Sequence, residues 1–309
     1  MNYSYYFIDE VNDFSDISYD VFISAFDGCH RTLETYDKII SKEKYWLLFP
    51  QYKIPDTITI PENVLFSEEV VENEYINEVV SQMGNLKERV ICIDSTGFLI
   101  PHLMYLMMLL KRNGLKEYHI LYSAPMKYVR DEATIFSIGA NQTRTILGYS
   151  SSPKSVNGDD VLIMLTGFND ALLTNVARDK SKSKYKYLFL GFPPLQADMY
   201  QQNLIQLHKS KETIGQTNVY YCKAPAYDPF ISASKIQKVI DNMGIEKRSD
   251  IGFIHIAPLS TKPMAIAAAL VYMNNPNLPI DVVYSTSDQY MCNHSEGISR
   301  TWRYVIEFE

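Results

Sequence analysis

The sequence predicts an α/β protein built from two tandem halves, each a mostly parallel sheet covered by helices. Short apolar segments alternate with helical patterns along the chain, which is the order that parallel sheets require. Residues 90–128 also resemble residues 252–290 in sequence. A length of 309 residues fits two domains of roughly 150 residues each. We place them at residues 1–150 and 151–309, because a polar stretch at 149–159 separates the two series of elements.

Strands are expected where β-branched and aromatic residues follow one another in short runs. They are predicted at residues 19–26, 45–49, 89–94, 118–123, 160–165, 185–191, 218–222, 251–257 and 280–285, with an edge strand at 301–308. Helices are predicted at residues 31–40, 72–83, 101–112, 169–178, 197–208, 229–243 and 262–273. Several strands are apolar throughout, as strands covered by helices on both faces are. The sheets are therefore expected to be central.

The internal similarity is seen when residues 90–128 are aligned with residues 252–290 without a gap. Pro101 then meets Pro263, and Asn113 meets Asn275. Each copy runs from an apolar strand through a Ser/Thr turn into a helix with Pro in its first turn, and then into a strand that ends in Tyr-Ser. The sequence therefore predicts two Rossmann-like units related by internal duplication. The alternative is two unrelated halves with the same generic pattern.

Composition excludes several classes of protein. A net charge of −7 argues against a whole-chain binder of nucleic acid, because such binding depends on Lys and Arg neutralising phosphates. The four cysteines have no metal-ligand spacing, so we expect reduced thiols, no metal and no cofactor. Residues 1–10 lack the pattern of a secretory signal, and the longest apolar run, 98–110, is too short to cross a bilayer. A cytoplasmic protein without membrane contact is expected.

The turn after the first strand is a candidate ligand contact. It places Asp27, His30 and Arg31 at the start of a helix, where backbone N–H groups and a guanidinium favour a phosphate. Asp27 and His30 are also candidate acid/base residues, should the protein be an enzyme. The alternative is that Asp27 caps the helix while His30 and Arg31 lie in solvent.

Two further turns carry Ser and Thr at matching positions of the two halves. In the first half, Asp94, Ser95 and Thr96 precede a glycine at a strand end, where they can hydrogen-bond a polar ligand or cap the next helix. In the second half, residues 260–262 (Ser-Thr-Lys) open an Ala-rich helix. A lysine, two hydroxyls and the helix dipole favour an anion there. We therefore assign Ser260, Thr261 and Lys262 to ligand binding, with simple capping as the alternative.

The second of these turns resembles a known family. Residues 260–265 (Ser-Thr-Lys-Pro-Met-Ala) are similar to the Thr-Lys-Pro-Met-Ala type of turn in CRISPR-associated Rossmann-fold (CARF) sensor domains. Residues 94–97 resemble the corresponding turn of the other half. The resemblance implies two Rossmann-like units that face each other across a pseudo-twofold and hold a nucleotide second messenger between them. The sequence departs from the family pattern at Leu259, where paired glycines are often seen.

Near the C-terminus, residues 293–301 are predicted to form a polar loop. Its Glu296 is a candidate acid/base residue and its Arg300 a candidate phosphate ligand, although a Glu–Arg pair can equally brace a hairpin. The chain has no G-x-x-x-x-G-K-[ST], G-x-G-x-x-G, G-x-S-x-G or H-E-x-x-H motif. These absences argue against the standard nucleoside triphosphatase (NTPase), dehydrogenase, serine hydrolase and zinc peptidase classes.

We therefore expect a non-catalytic ligand-binding or regulatory component of a prokaryotic multi-protein system such as antiviral defence. Its ligand is expected to be a nucleotide-like anion, and a protein partner or a second copy of the chain is expected beside it. One alternative is an enzyme acting on a nucleotide or phosphoester. Another is an interaction scaffold that uses some of the 23 tyrosines and 14 phenylalanines as its contact surface.

Overall fold

The computed structural model describes residues 3, 7–15, 18–128, 137–155, 157–244, 250–292 and 295–308; for 137, 138, 140 and 141 it describes the backbone alone. The strands are β1 (Phe7–Glu10), β2 (Ser18–Ala25), β3 (Ile40–Leu48), β4 (Tyr52–Lys53), β5 (Val64–Phe66), β6 (Ile91–Asp94), β7 (Glu117–Tyr128), β8 (Ser137–Thr145), β9 (Asp159–Thr166), β10 (Tyr185–Gly191), β11 (Val219–Ala224), β12 (Ile251–Pro258), β13 (Ile280–Met291) and β14 (Ser295–Glu307). The helices are α1 (His30–Lys38), α2 (Glu72–Ser81), α3 (Ile100–Arg112), α4 (Asp170–Asp179), α5 (Met199–Lys209), α6 (Lys211–Ile214), α7 (Pro229–Asn242) and α8 (Lys262–Asn274).

The predicted α/β class with mostly parallel sheets is confirmed. The chain divides into two compact units, and neither is a continuous segment. The first unit comprises residues 6–139 and 288–309, and the second comprises residues 1–5 and 140–287.

The first unit contains a sheet with the strand order β1-β14-β7-β6-β2-β3-β5. The five strands from β7 to β5 are parallel. β14 is antiparallel to β7, and β1 is antiparallel to β14. β2 and β6 lie in the middle and are buried along almost their whole length, which explains their continuous apolar sequences.

The second unit contains the parallel strand order β11-β10-β9-β12-β13. α8 packs beside this sheet, and ten of its residues are buried. Four of those ten are alanines, whose small side chains permit a close approach between helix and sheet. β8 also pairs with β13. The last residues of β13 belong to the first unit, where they pair with β4 through Tyr290 and Tyr52.

The two units share one topology. The parallel order β5-β3-β2-β6-β7 of the first unit corresponds, strand for strand in chain order, to β11-β10-β9-β12-β13 of the second. The two similar segments, residues 90–128 and 252–290, fold as β6-α3-β7 and β12-α8-β13, at corresponding positions in the two sheets. Their common origin by duplication stays a prediction. The units differ between their second and third parallel strands. There the first unit has residues 49–63, which include β4, and the second unit has α5 and α6.

Many predicted elements have different bounds in the structure. β3 begins at Ile40 rather than residue 45, β7 ends at Tyr128 rather than residue 123, and β13 ends at Met291 rather than residue 285. α1 ends at Lys38 rather than residue 40, because Ile39 is extended and Ile40 already pairs with Ser18 of β2. The predicted loop at 293–301 is wrong from Ser295 onward, because Ser295 begins β14. This strand also lies between β1 and β7 instead of at the edge of the sheet. Asn293 and His294 lie outside the described residues.

Strands β1, β4, β5 and β8 and the short helix α6 were not predicted. β4 and β5 have two and three residues, too few for an alternating pattern to be recognised. Among the helices that the structure describes, none is both long enough and apolar enough to cross a bilayer.

Candidate functional site

Each unit has one place where its strand order reverses. In the first unit, the chain leaves β2 toward one side of the sheet and returns to β6 on the other side; β9 and β12 have the same relation in the second unit. Ligands of open α/β sheets bind at such points, outside the carboxyl ends of the strands. The turns that follow these four strands contain most of the residues that the sequence singled out.

In the first unit, Asp27 is buried and organises the turn between β2 and α1. Its Oδ1 accepts hydrogen bonds from the Cys29 backbone N–H at 3.0 Å and from the Thr32 hydroxyl at 2.7 Å. Its Oδ2 is buried and has no hydrogen-bond partner among the described residues. Asp27 is not the N-cap of α1, since Cys29 occupies that position. The alternative in which Asp27 caps the helix is therefore wrong.

Asp94 lies at the carboxyl end of β6 and is also fully buried. Its two oxygens accept hydrogen bonds from the Ser24 hydroxyl at 2.9 Å and from the Thr96 backbone N–H at 3.0 Å. Burial raises the pKa of Asp94 to about 6, and the nearby Asp27 carboxylate adds to the shift, while the hydrogen bonds from Thr96 and Ser24 oppose it. The first-unit switch point thus contains two buried carboxyl groups.

Ser95 and Thr96 connect this turn to β7. The Ser95 hydroxyl donates to the Leu121 carbonyl at 2.7 Å, and the Thr96 hydroxyl accepts from the Ser123 backbone N–H at 3.0 Å. Both hydroxyls therefore bond within the protein, and both residues are buried. The structure places them beside Asp27 and Asp94, where they hold the ends of β6 and β7 together.

Arg31 is buried within the first unit. Its Nη1 donates to the Ser123 carbonyl at 2.6 Å, and its Nε donates to the Ser295 hydroxyl at 2.9 Å. The guanidinium thereby joins α1 to β7 and β14. The alternative that placed Arg31 in solvent is wrong.

Replacing Arg31 by Met is expected to lower the free energy of unfolding by about 3 kcal/mol, because the Ser123 carbonyl and the Ser295 hydroxyl would lose their buried donor. Urea denaturation monitored by far-UV circular dichroism measures this change. Arg300→Met is the matched control, because Arg300 is exposed on the same sheet and should cost less than about 0.5 kcal/mol. An equal loss in both variants would contradict the structural role of Arg31.

The other candidates of the first unit lie at its surface. His30 is the first residue of α1, and its Nδ1 lies 3.2 Å from a carboxylate oxygen of Glu34 one turn later. Glu296 is ion-paired with Lys127 at 2.8 Å across β14 and β7. The Arg300 Nε lies 3.7 Å from a Glu10 carboxylate oxygen. Each of the three is more than half exposed and already contacts another side chain.

Four residues that sequence reasoning missed lie around the Asp27 turn: Ile58, Tyr52, Tyr290 and Cys292. The Tyr52 hydroxyl donates to the Gly97 carbonyl at 2.8 Å, and its ring meets that of Tyr290 edge to face. Burial raises the pKa of the Cys292 thiol to about 12, and the Asp27 carboxylate contributes next. These residues come from β4, β13 and the adjacent segments, which have no local motif. Only the tertiary structure shows that they belong to the site.

In the second unit, Thr261 is the N-cap of α8. Its hydroxyl oxygen accepts from the Met264 backbone N–H at 3.4 Å and donates to the Ala226 carbonyl at 2.6 Å. Ser260 and Lys262 flank it and are partly exposed. The neighbouring turn after β9 passes so close that a Cβ atom added at Gly167 would lie 2.1 Å from the Leu259 carbonyl oxygen.

A buried amide also lies at the end of β9. Asn203 of α5 donates its Nδ2 to the Thr166 carbonyl at 2.8 Å, while its Oδ1 is buried without a hydrogen-bond partner in the described part of the chain. The switch point of the second unit therefore combines the partly exposed side chains of Ser260 and Lys262 with the buried, unbonded Oδ1 of Asn203.

No group of three or more His, Cys, Asp or Glu residues with the arrangement of a metal site is found within the described ranges. The sequence matches none of the protein-family models and none of the curated proteins with which it was compared.

Proposed function

We propose that the chain is a ligand-binding, regulatory protein and that the turn Ser260–Lys262 in the second unit binds a nucleotide-like anion. The observation that carries this proposal is the position of the turn. It lies at the topological switch point between β9 and β12 and begins α8, a helix of 13 residues. The positive end of the helix dipole favours negative charge there, and Lys262 adds a cation.

The composition of the second-unit turn supports an anion as ligand. The turn contains a lysine and two hydroxyls and no carboxylate, whereas the corresponding turn of the first unit follows the buried Asp94, with Asp27 near it. Two buried carboxyl groups would repel a phosphate. The unused acceptor of Asn203 suits a hydroxyl or amino donor, which a nucleotide has in addition to its phosphate.

Binding without catalysis is favoured by the positions of two of the three acid/base candidates. His30 and Glu296 lie at the surface of the first unit, where His30 contacts Glu34 and Glu296 is paired with Lys127. The resemblance of the turns at 94–97 and 260–265 to CARF sensor turns supports a sensor role in prokaryotic defence. A cytoplasmic location and a protein partner belong to the same proposal, and native mass spectrometry of protein purified from its host tests for the partner.

The Lys262→Ala variant is expected to bind nucleotides about 10- to 100-fold more weakly than the wild type, because it loses a charge-assisted contact of about 1.5–3 kcal/mol. Isothermal titration calorimetry with AMP, ATP, GTP and inorganic phosphate measures the affinities. Lys238→Ala removes an exposed lysine of α7 in the same unit and should leave them unchanged. The proposal is wrong if none of these probes binds the wild type, or if both variants bind equally well.

A further inference from the structure

The unpaired oxygen of Asp27 is one feature of the first unit that the contacts of its described residues do not account for. The residue is fully buried, and the two donors available to its carboxylate both bind Oδ1. The nearby Arg31 donates to the Ser123 carbonyl and the Ser295 hydroxyl. A buried acceptor without a donor is costly, and native proteins rarely keep one unless it serves a purpose. A ligand that brings an O–H or N–H group would satisfy it.

The residue beside Asp27 is Gly28, which has no side chain of its own. The side chains of Ile58 and Cys292 lie over its backbone. Gly28 has a φ of +70°, and a Cβ atom built on it would lie 2.9 Å from Ile58 Cδ1 and 3.8 Å from Cys292 Cβ. Ile58 therefore occupies the space directly over the turn. It belongs to residues 54–63, a segment between β4 and β5 that is mostly exposed and has no regular secondary structure. Such a segment can move its side chain away at little cost.

The walls of this place suit a flat, partly apolar ligand. Tyr52 and Tyr290 are half-buried, their ring centroids are 6.1 Å apart, and the Tyr52 hydroxyl reaches the Gly97 carbonyl of the β6 turn. Tyr52 thus bonds to one turn of the switch point and lies near Asp27 in the other. Because Asp27 and Asp94 are both acidic, the part of a ligand that enters here is uncharged or cationic rather than phosphate.

We propose that the first-unit switch point is a covered binding site for a nucleoside, in which a sugar hydroxyl donates to Asp27 Oδ2 and Ile58 must leave for the ligand to enter. The base lies against Tyr52 and Tyr290. This site is separate from the anion turn of the second unit, and the inference does not depend on the function proposed for that turn.

Adenosine is the probe, and isothermal titration calorimetry measures its binding to the whole chain. We expect adenosine to bind the wild type and 2′,3′-dideoxyadenosine to bind at least tenfold more weakly, because it lacks the donor hydroxyls. Asp27→Asn is expected to weaken adenosine binding at least tenfold as well, since the amide keeps one acceptor for Cys29 and Thr32 but presents N–H groups to the ligand. Asp37→Asn, at an exposed position of α1, is the matched control and should bind normally.

The covering role of Ile58 provides an independent test that leaves Asp27 intact. Ile58→Ala is expected to bind adenosine roughly tenfold more tightly, because the open state no longer has to displace a large side chain. Ile60→Ala, in the same segment and 44% exposed, should bind as the wild type does. The inference is overturned if adenosine binds neither the wild type nor Ile58→Ala, if the dideoxy analogue binds equally well, or if Asp27→Asn binds normally. Because adenosine carries no phosphate, Lys262→Ala should leave its binding unchanged, so a failure of the anion proposal is seen separately.

Discussion

Asp94→Asn is expected to stabilise the protein at pH 7.5 by about 3 kcal/mol. Asp94 is fully buried, and its pKa is raised from 3.8 to about 6, mainly by burial. At pH 7.5 the folded protein must therefore hold a charge that its interior disfavours, and a shift of this size corresponds to about 3 kcal/mol. Asparagine removes the charge, its Oδ1 can still accept from the Thr96 N–H, and the Ser24 oxygen can accept from the new amide.

The same shift predicts the pH dependence. Between about pH 4 and pH 6 the folded state keeps the proton of Asp94 while the unfolded state releases it, so folded-state stability from this group falls as the pH rises through that range. Above pH 6 the loss is complete. The stability difference between Asp94→Asn and the wild type should therefore be small at pH 4, grow up to about pH 6 and then level off.

Urea denaturation at half-unit steps from pH 4 to pH 8 measures this difference directly. Asp37→Asn is a suitable control, because Asp37 is exposed and its replacement should change the free energy of unfolding by less than about 0.5 kcal/mol at every pH. A constant difference between Asp94→Asn and the wild type over this range would contradict the buried, charged state that we assign to Asp94.

Gly97→Ala and Gly167→Ala are each expected to destabilise the unit that contains them by about 3 kcal/mol or more. A Cβ atom at Gly97 would lie 2.2 Å from the Ala25 carbonyl oxygen, and one at Gly167 would lie 2.1 Å from the Leu259 carbonyl oxygen. Both clashes are with backbone at a switch point, where no flexible side chain can move aside. The turn and the neighbouring strand end would have to separate.

Urea unfolding curves, recorded with a spectroscopic probe in each unit, measure the loss of stability of that unit. Gly84→Ala is the control: its added Cβ atom meets nothing within 4 Å, so its cost is only the positive φ of +71°, about 1 kcal/mol. If the units unfold separately, Gly97→Ala should shift only the transition of the first unit and Gly167→Ala only that of the second. A cost no larger than that of Gly84→Ala would show that the close approach relaxes easily.

The parallel core was predictable because its strands carry a strong signal. β2, β6, β9 and β12 are covered on both faces, so almost every position selects an apolar residue. β14 shows why the polar stretch after residue 293 was misinterpreted. Ser295 and Thr301 are buried there, and their hydroxyls bond to Arg31 and Ser123. Polar residues that are satisfied within a sheet look like loop residues in the sequence alone.

The candidate site was only partly predictable for a related reason. A Ser/Thr-bearing turn between a strand and a helix is a local pattern, so Asp27, the turn at 94–97 and the turn at 260–262 could all be identified. The hydrogen bonds around these turns are not local, because Arg31 donates to the hydroxyl of Ser295, which lies 264 positions later in the sequence. The side chains that surround Asp27 come from equally distant segments. No local pattern distinguishes an arginine that reaches solvent from one that holds a sheet together.

The discontinuity of the first unit has a consequence for biosynthesis. Its β14 is made of residues 295–307, yet it pairs with β7 in mid-chain and with β1 near the start. On the ribosome, the strands β9 to β13 of the second unit all emerge before β14 does. The inserted unit can therefore fold first, while β7 of the first unit waits with an unpaired edge. During that interval a chaperone, or a neighbouring nascent chain, can compete for the edge that β14 will later close.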